Sequence, residues 1–389
     1  MDLIKSKIDQ TFDLLKDLDI DLWMIFCRES EIMTDPSLAM MVGAHVSAQA
    51  AFMFTKTGCS RAIVWKYDAE NIQRTGYFDE VEIFTTDFKE VFNRAIAGIN
   101  PRQIAVNYSL TSSTADGISY GMYLKLKDYL KETPYKACLI SAEEFLLKLR
   151  SRKTEPEIEK LRIAATISEL CWQEALPEIK TGMTEIEIAA LIAGRIKGHG
   201  GVQSFPSIVN AGAKTSPGHG LPTTAVLEPG DLLHVDFGAE IDGYCADLQR
   251  LAYFLKPGES SAPDVLRKAF NKIKEIVDVS AIGYTVGARG IDIDKAARQM
   301  LTAAGYEEYQ HSLGHQIGRA VHDGGSRVGP KYEEHDRTPF IPLEAGNAFT
   351  VELGVALENI GYVGLEEDLV VTTNGGEFLC NRQTELPVK

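Results

Sequence analysis

The chain is predicted to fold as two domains, an α/β layer over residues 1–150 and an α+β domain over residues 151–389. Three observations carry that expectation. A length of 389 residues suggests two domains at roughly 100–200 residues each, and either could bury its own core. The first half alternates helical periodicity with short β-like runs, whereas the second half combines helices with paired strands joined by tight polar turns. Between them, near residue 150, lies a strong helix start: Thr154 as N-cap, Pro156 near the first position, and Glu155 and Glu157 in the first turn.

The first-half runs are LWMIF (22–26), AAFMFT (50–55), RAIVW (61–65), VEIFT (81–85) and QIAVN (103–107), with helices between several of them. After the helix opened by Thr154, a second runs from Thr184 to Gly198. Strands are then expected at 231–238, 244–255, 347–357 and 362–372, with helices near 262–280 and 291–304.

Composition narrows the function. The chain is 44% apolar and 24% charged, as globular proteins are, and its 40 basic and 55 acidic residues leave a net charge of −15. That surplus argues against a nucleic-acid partner or a polybasic membrane-surface protein. It lies mainly in the second half: 17 basic and 21 acidic residues fall within 1–150, against 23 and 34 after it. Six scattered cysteines without a CxxC pair fit reduced thiols in the cytoplasm. The first 23 residues read as an amphipathic helix without the apolar core of a signal peptide. The uncharged stretch Ser37 to Thr55 carries His45 and several polar residues, so it reads as buried core rather than a membrane span.

The chemistry concentrates in the second half. In LLHVDFGAEIDGYCADLQRLAYF (232–254) two β-like runs flank an Asp242-Gly243 turn. Pairing about a centre near 241–242 sets Asp236 roughly opposite Asp247. Facing carboxylates are destabilising unless neutralised, and a divalent cation is the simplest neutraliser. A different register would instead turn one of the two to solvent. The second hairpin repeats the arrangement. A turn centred near 359 pairs Glu352 with Glu366, while Val351, Leu353, Val355 and Leu357 share one face with Val363, Leu365, Leu369 and Val371. Glu367 falls on that apolar side.

Seven of the eight histidines lie between His199 and His335. His311, His315 and His322 sit among glycines in HSLGHQIGRAVHDGG, and His219 sits between glycines in KTSPGHGLPTT. Glycine lets backbone approach a site closely. His45, His199, His234 and His335 read as structural.

In order and local motif, Asp236, Asp247, His315, Glu352 and Glu366 resemble the five metal ligands of the pita-bread metallopeptidases, in the branch of Xaa-Pro aminopeptidases and prolidases. The matching text is HVDFGAEIDGYCADLQR, GHQIGRAVHD, FTVELG and GLEEDLVVT, with FPSIVNAGAKTSPGHGLP before it. Residues 1–150 resemble the creatinase-type N-terminal domain of that branch, so the likeness covers almost the whole chain. Two positions depart from it. Leu353 stands where family members often have Pro, and Gly364 stands where many aminopeptidases have Arg.

The resemblance implies hydrolysis of the amide bond preceding proline, in dipeptides or at peptide N-termini, by a homodimer. Four carboxylates and one imidazole form a hard donor set that suits two divalent ions, Mn²⁺ first, with Co²⁺, Zn²⁺ and Fe²⁺ also compatible. By the same resemblance Asp247 and Glu366 bridge the ions, His322 and His219 hydrogen-bond the substrate and the intermediate, and His311 lies in the pocket or just behind it; Glu352 is expected to take the water proton and pass it to the leaving nitrogen. The competing readings are a metal-independent creatinase-like amidinohydrolase and an inactive binding protein on the same fold. Retention of all five ligands argues against both.

Overall fold

The computed structural model describes residues 2–214, 220–334 and 336–389, and forms two compact units, Met1–Arg150 and Ser151–Lys389. His219 and His335 lie outside the described residues. No helix among the described residues is long and apolar enough to cross a membrane.

The first unit is built on a mixed six-stranded sheet of β1 (Leu22–Cys27), β2 (Ala50–Thr55), β3 (Ser60–Trp65), β4 (Glu80–Phe84), β5 (Ile104–Val106) and β6 (Leu139–Ser141), in the order β4-β3-β2-β1-β5-β6. Helices α1 (Leu3–Asp17), α2 (Leu38–Met41), α3 (Ala69–Thr75), α4 (Phe88–Ile99), α5 (Tyr120–Leu130) and α6 (Glu143–Ser151) complete it. β1 and β2 are buried along their whole length because the alternating side chains of both strands enter two apolar clusters, one on each face. The uncharged stretch accordingly supplies α2 and β2 to the core. β6 is only three residues long, too short to show any period in the sequence.

In the second unit α7 (Glu155–Ala175) and α8 (Glu185–Gly198) each begin with a capping box, Thr154 with Glu157 and Thr184 with Glu187. The strands are β7 (Val202–Gln203), β8 (Ile208–Ala211), β9 (Leu232–Phe237), β10 (Ala239–Ile241), β11 (Tyr244–Cys245), β12 (Leu248–Tyr253), β13 (Ala348–Leu357), β14 (Gly361–Thr372) and β15 (Gly375–Phe378). The main sheet runs β13-β14-β12-β9-β8, with β15 also on β14, and β7, β10 and β11 form a separate small sheet. Helices α9 (Asp264–Gly283) and α10 (Gly290–Ala303) complete the unit.

Strand alternation decides which face each side chain joins. Leu233, Val235, Phe237, Leu248 and Ala252 pack with Ile188, Ile192 and Ile196 of α8 and Trp172 of α7. Val351, Leu353, Val355, Val363, Leu365, Leu369 and Val371 pack with Phe270, Ile273, Ile276 and Val277 of α9. Between these two cores, on the helix-covered side, the buried Arg250 guanidinium binds Glu169 Oε2 at 2.8 Å and Glu367 Oε2 at 2.9 Å. The polar residues at alternate positions therefore share the opposite face.

Candidate metal centre and cavity

One row of residues crosses four strands. Asp236 on β9 stands opposite Gln249 on β12, Gln249 opposite Glu366 on β14, and Glu366 opposite Glu352 on β13. The Glu352–Glu366 pairing is the one expected from the sequence. The first hairpin differs: Asp236 faces Gln249 rather than Asp247. Asp242 (φ 52°) and Gly243 (φ 78°) form a two-residue turn, so the centre of the hairpin lies between them and the register moves by two. A shift of two preserves the face, so Asp247 remains on the side of Asp236 as its diagonal neighbour. The ladder breaks at Asp247, whose N–H donates to Asp368 Oδ2 at 3.0 Å, and this splits the expected strand 244–255 into β11 and β12.

His315 enters beside β13. Its N–H donates to Thr350 Oγ1 at 3.2 Å, and its carbonyl accepts from the Thr350 N–H at 2.9 Å. The approach is so close that a Cβ on Gly314 would lie 2.1 Å from the Thr350 carbonyl oxygen. The imidazole Nε2 then stands 3.6 Å from Asp247 Oδ2, 3.9 Å from Glu366 Oε1 and 4.0 Å from Glu352 Oε1. Ligand atoms of Asp247, His315 and Glu366 all fall within 4.8 Å of one another.

These groups line a cavity of about 910 Å³ together with His234, Gln249, Tyr309, His311, Arg319, His322, Arg327 and Tyr362. The His322 ring lies 4.4 Å from that of His315. The loop carrying it is held by the Asp323 N–H, which donates to the Gln316 carbonyl at 2.8 Å, and by a buried Lys153–Asp323 ion pair at 3.1 Å. His311 is exposed at the rim, its ring 5.6 Å from Tyr309. His199 pairs with Glu174 at 3.1 Å, and His45 Nδ1 lies 3.4 Å from Ser30 Oγ; neither lines the cavity.

The electrostatics are those of a site that wants a cation. Burial pushes Asp236 up to about 7 and Glu352 up to about 8, with the Asp236 charge adding to the latter. Burial, then the neighbouring carboxylates, hold Asp247 and Glu366 well above the usual range. Among the described residues His315 is the one basic side chain in ion-pair reach of the cluster. Asp236 Oδ1, Asp247 Oδ1 and Glu366 Oε1 are buried without a hydrogen-bond donor. Orphaned carboxylate oxygens converging beside an imidazole fit a divalent metal by donor type and charge.

Among the cavity groups that sequence did not mark as functional are His234, Gln249, Tyr309 and Tyr362. His234 is a strand residue, but it faces the cavity, and its Nε2 meets Gln249 Oε1 at 2.9 Å. The Tyr309 hydroxyl donates to Glu352 Oε2 at 3.2 Å. The available signal was the two-residue period: His234 lies two before Asp236, Gln249 two after Asp247, and Tyr362 four before Glu366.

Comparison with known proteins agrees with this architecture. The profile of metallopeptidase family M24 matches residues 159–373. An Xaa-Pro dipeptidase of Lactobacillus helveticus is 30% identical over 276 residues, 70% of this chain and 71% of that protein. One from Pyrococcus horikoshii is 25% identical over 390 residues, covering 99% of this chain and 100% of that one. The solved structure of an X-Pro aminopeptidase from Thermotoga maritima has a TM-score of 0.77 at 25% identity, covering 98% of this chain and 99% of that one. With the profile spanning more than half its length, the chain belongs to metallopeptidase family M24 and is a metallopeptidase of the pita-bread fold that works with divalent metal.

Proposed function

We propose that the chain hydrolyses the amide bond preceding proline, in Xaa-Pro dipeptides or at the N-terminus of longer Xaa-Pro peptides, with two divalent ions of which Mn²⁺ suits the donors best. The observation that carries this reading is the convergence of Asp236, Asp247, His315, Glu352 and Glu366 on one cavity wall, with buried carboxylate oxygens left unpaired. The names of the relatives supply the proline specificity.

Asp236, Asp247, His315, Glu352 and Glu366 would hold the ions. Such ions lower the pKa of a water and polarise a carbonyl, which is what amide hydrolysis needs. Glu352 takes the proton of the attacking water and returns it to the leaving nitrogen. Hydrogen bonds from Tyr309 and Gln249 to its Oε2 fix the orientation of this carboxylate. His322 hydrogen-bonds the substrate from the cavity wall, and His311 contributes at the rim. His219 belongs to the same role by family likeness. Asp247 and Glu366 are buried in the sheet face, where charge interactions are stronger than in water.

The same reading makes residues 1–150 a creatinase-type domain and 151–389 the catalytic domain of a cytoplasmic homodimer. The free, scattered cysteines support the compartment. The deciding experiment compares an Xaa-Pro dipeptide, a longer Xaa-Pro peptide and creatine as substrates, each with and without Mn²⁺. Mn²⁺-dependent cleavage of either proline substrate is expected; turnover of creatine alone, or of nothing, would overturn the reading.

A further inference from the structure

Gln249 occupies the middle of the row from Asp236 to Glu352, and its amide is fully engaged. Nε2 donates to Glu366 Oε2 at 2.7 Å and to Glu352 Oε2 at 3.3 Å. Two carboxylates on one side require the amide nitrogen there, so the carbonyl Oε1 points away and accepts from His234 Nε2 at 2.9 Å. That contact fixes His234 as the Nε2-protonated form. The two glutamates are thereby divided alike: each has Oε2 bound by Gln249 and Oε1 turned toward His315, at 4.0 Å for Glu352 and 3.9 Å for Glu366.

Room for this arrangement comes from glycine. Gly364 lies opposite Gly354 in the β13–β14 ladder. A Cβ on Gly364 would stand 2.4 Å from the Tyr362 ring and 2.6 Å from Gln249 Oε1, and one on Gly354 would stand 2.4 Å from the Tyr362 ring carbon Cζ and its hydroxyl oxygen. The paired glycines form a slot for the Tyr362 ring, whose edge contact with His234 (centroids 5.4 Å, 79°) backs the Gln249 carbonyl. An arginine at 364, as in many aminopeptidases of the branch, would enter the space that the Gln249 amide fills.

We propose that Gln249 is a positioning residue that presents one oxygen each of Glu352 and Glu366 to the metal site, and that Gly364 is the residue that admits it. The inference rests on the metal reading above, and the test separates the two. Mn²⁺ binding is measured calorimetrically on the chelator-treated full chain for wild type, Gln249→Leu, Gln249→Asn, Gly364→Ala and the Gln249→Leu/Gly364→Ala double variant. Loss of hydrogen bonds that orient metal-binding carboxylates typically weakens metal affinity about 10–100-fold. That loss is expected for Gln249→Leu and Gly364→Ala, less for Gln249→Asn, and Gly364→Ala should add little once Gln249 is gone. At limiting Mn²⁺ the variants should lose turnover that excess Mn²⁺ restores, with KM for the peptide holding, a pattern that general loosening of the fold would not give. Wild type that takes up no Mn²⁺ would overturn the metal reading and this inference together. Wild type that binds while Gln249→Leu binds within twofold of it would overturn the inference alone.

Discussion

Glu352 stands directly opposite Glu366 across β13 and β14, and among the described residues no lysine or arginine forms an ion pair with either. The two carboxylates, Glu366 buried and Glu352 partly buried, are held by the neutral amide of Gln249 and face one imidazole. Such a pair is costly in the metal-free chain and becomes favourable when a cation takes the oxygens turned to the cavity.

Asp247 is the member of the cluster whose backbone breaks the ladder, and its Oδ1 is buried without a donor. Asp247→Ala should abolish both Mn²⁺ uptake and peptide hydrolysis. Metal analysis together with a turnover assay checks this, and retained turnover would remove Asp247 from the centre. In the wild type, Mn²⁺ at about one hundred times its Kd should raise stability by about 2.7 kcal/mol, a rise that the variant lacks.

His322 touches His315 ring to ring but is exposed on the cavity wall, where a substrate can reach it. His322→Ala should keep the bound metal while lowering kcat by roughly 10²–10³-fold, the range for loss of one hydrogen-bond donor to the reacting group. Steady-state kinetics beside metal analysis decides it. An unchanged rate would show that His322 plays no part in the reaction.

Arg250 is wholly buried between Glu169 and Glu367, and it also donates to the carbonyls of Gln249 and Glu366 at 3.0 Å. Removing one partner of a buried pair strands the other charge, so Arg250→Met should cost about 3–5 kcal/mol in urea unfolding. The Arg250→Met/Glu367→Gln double variant should recover part of that. A cost below 1 kcal/mol for Arg250→Met would mean that the pair contributes little.

Asp21 accepts from the Arg102 guanidinium at 3.1 Å, from the Lys56 ammonium at 2.5 Å and from the Arg102 backbone N–H at 2.8 Å. The Arg102 hydrogen bond foremost, then those of Lys56 and the backbone, hold its carboxyl well below the usual 3.8, although its partial burial acts the other way. A depressed carboxyl contributes stability that is present above the unfolded value and lost as pH falls through the folded one. Asp21→Asn should therefore destabilise the first unit at pH 7, by about 1–2 kcal/mol given the exposure of Arg102, and the difference should fade toward pH 2. Thermal unfolding across that range reads the effect, and a difference independent of pH would contradict it.

Much of the site was legible in one dimension because β-structure has a short period. Glu352 and Glu366 could be paired from the alternation around them, and Glu367 could be assigned to the other face, where it meets Arg250. The Asp236–Asp247 register failed by two because the turn centre depends on the dihedral angles of Asp242 and Gly243. The error was harmless to the face and hid Gln249, which holds the position opposite Asp236.

By itself the sequence determined the two-part pattern, the helix starts at Thr154 and Thr184, the sheet face of each carboxylate and the family likeness, since all of these depend on local spacing and residue type. Only the tertiary structure decided that β12 lies between β9 and β14, which makes a single row of Asp236, Gln249, Glu366 and Glu352 from segments more than a hundred residues apart. Likewise, only packing showed that the Gly354–Gly364 pair is a slot for Tyr362 and Gln249. Strand order and close backbone approach are set by the burial of whole faces against α7, α8 and α9, a property of the assembled core rather than of any segment.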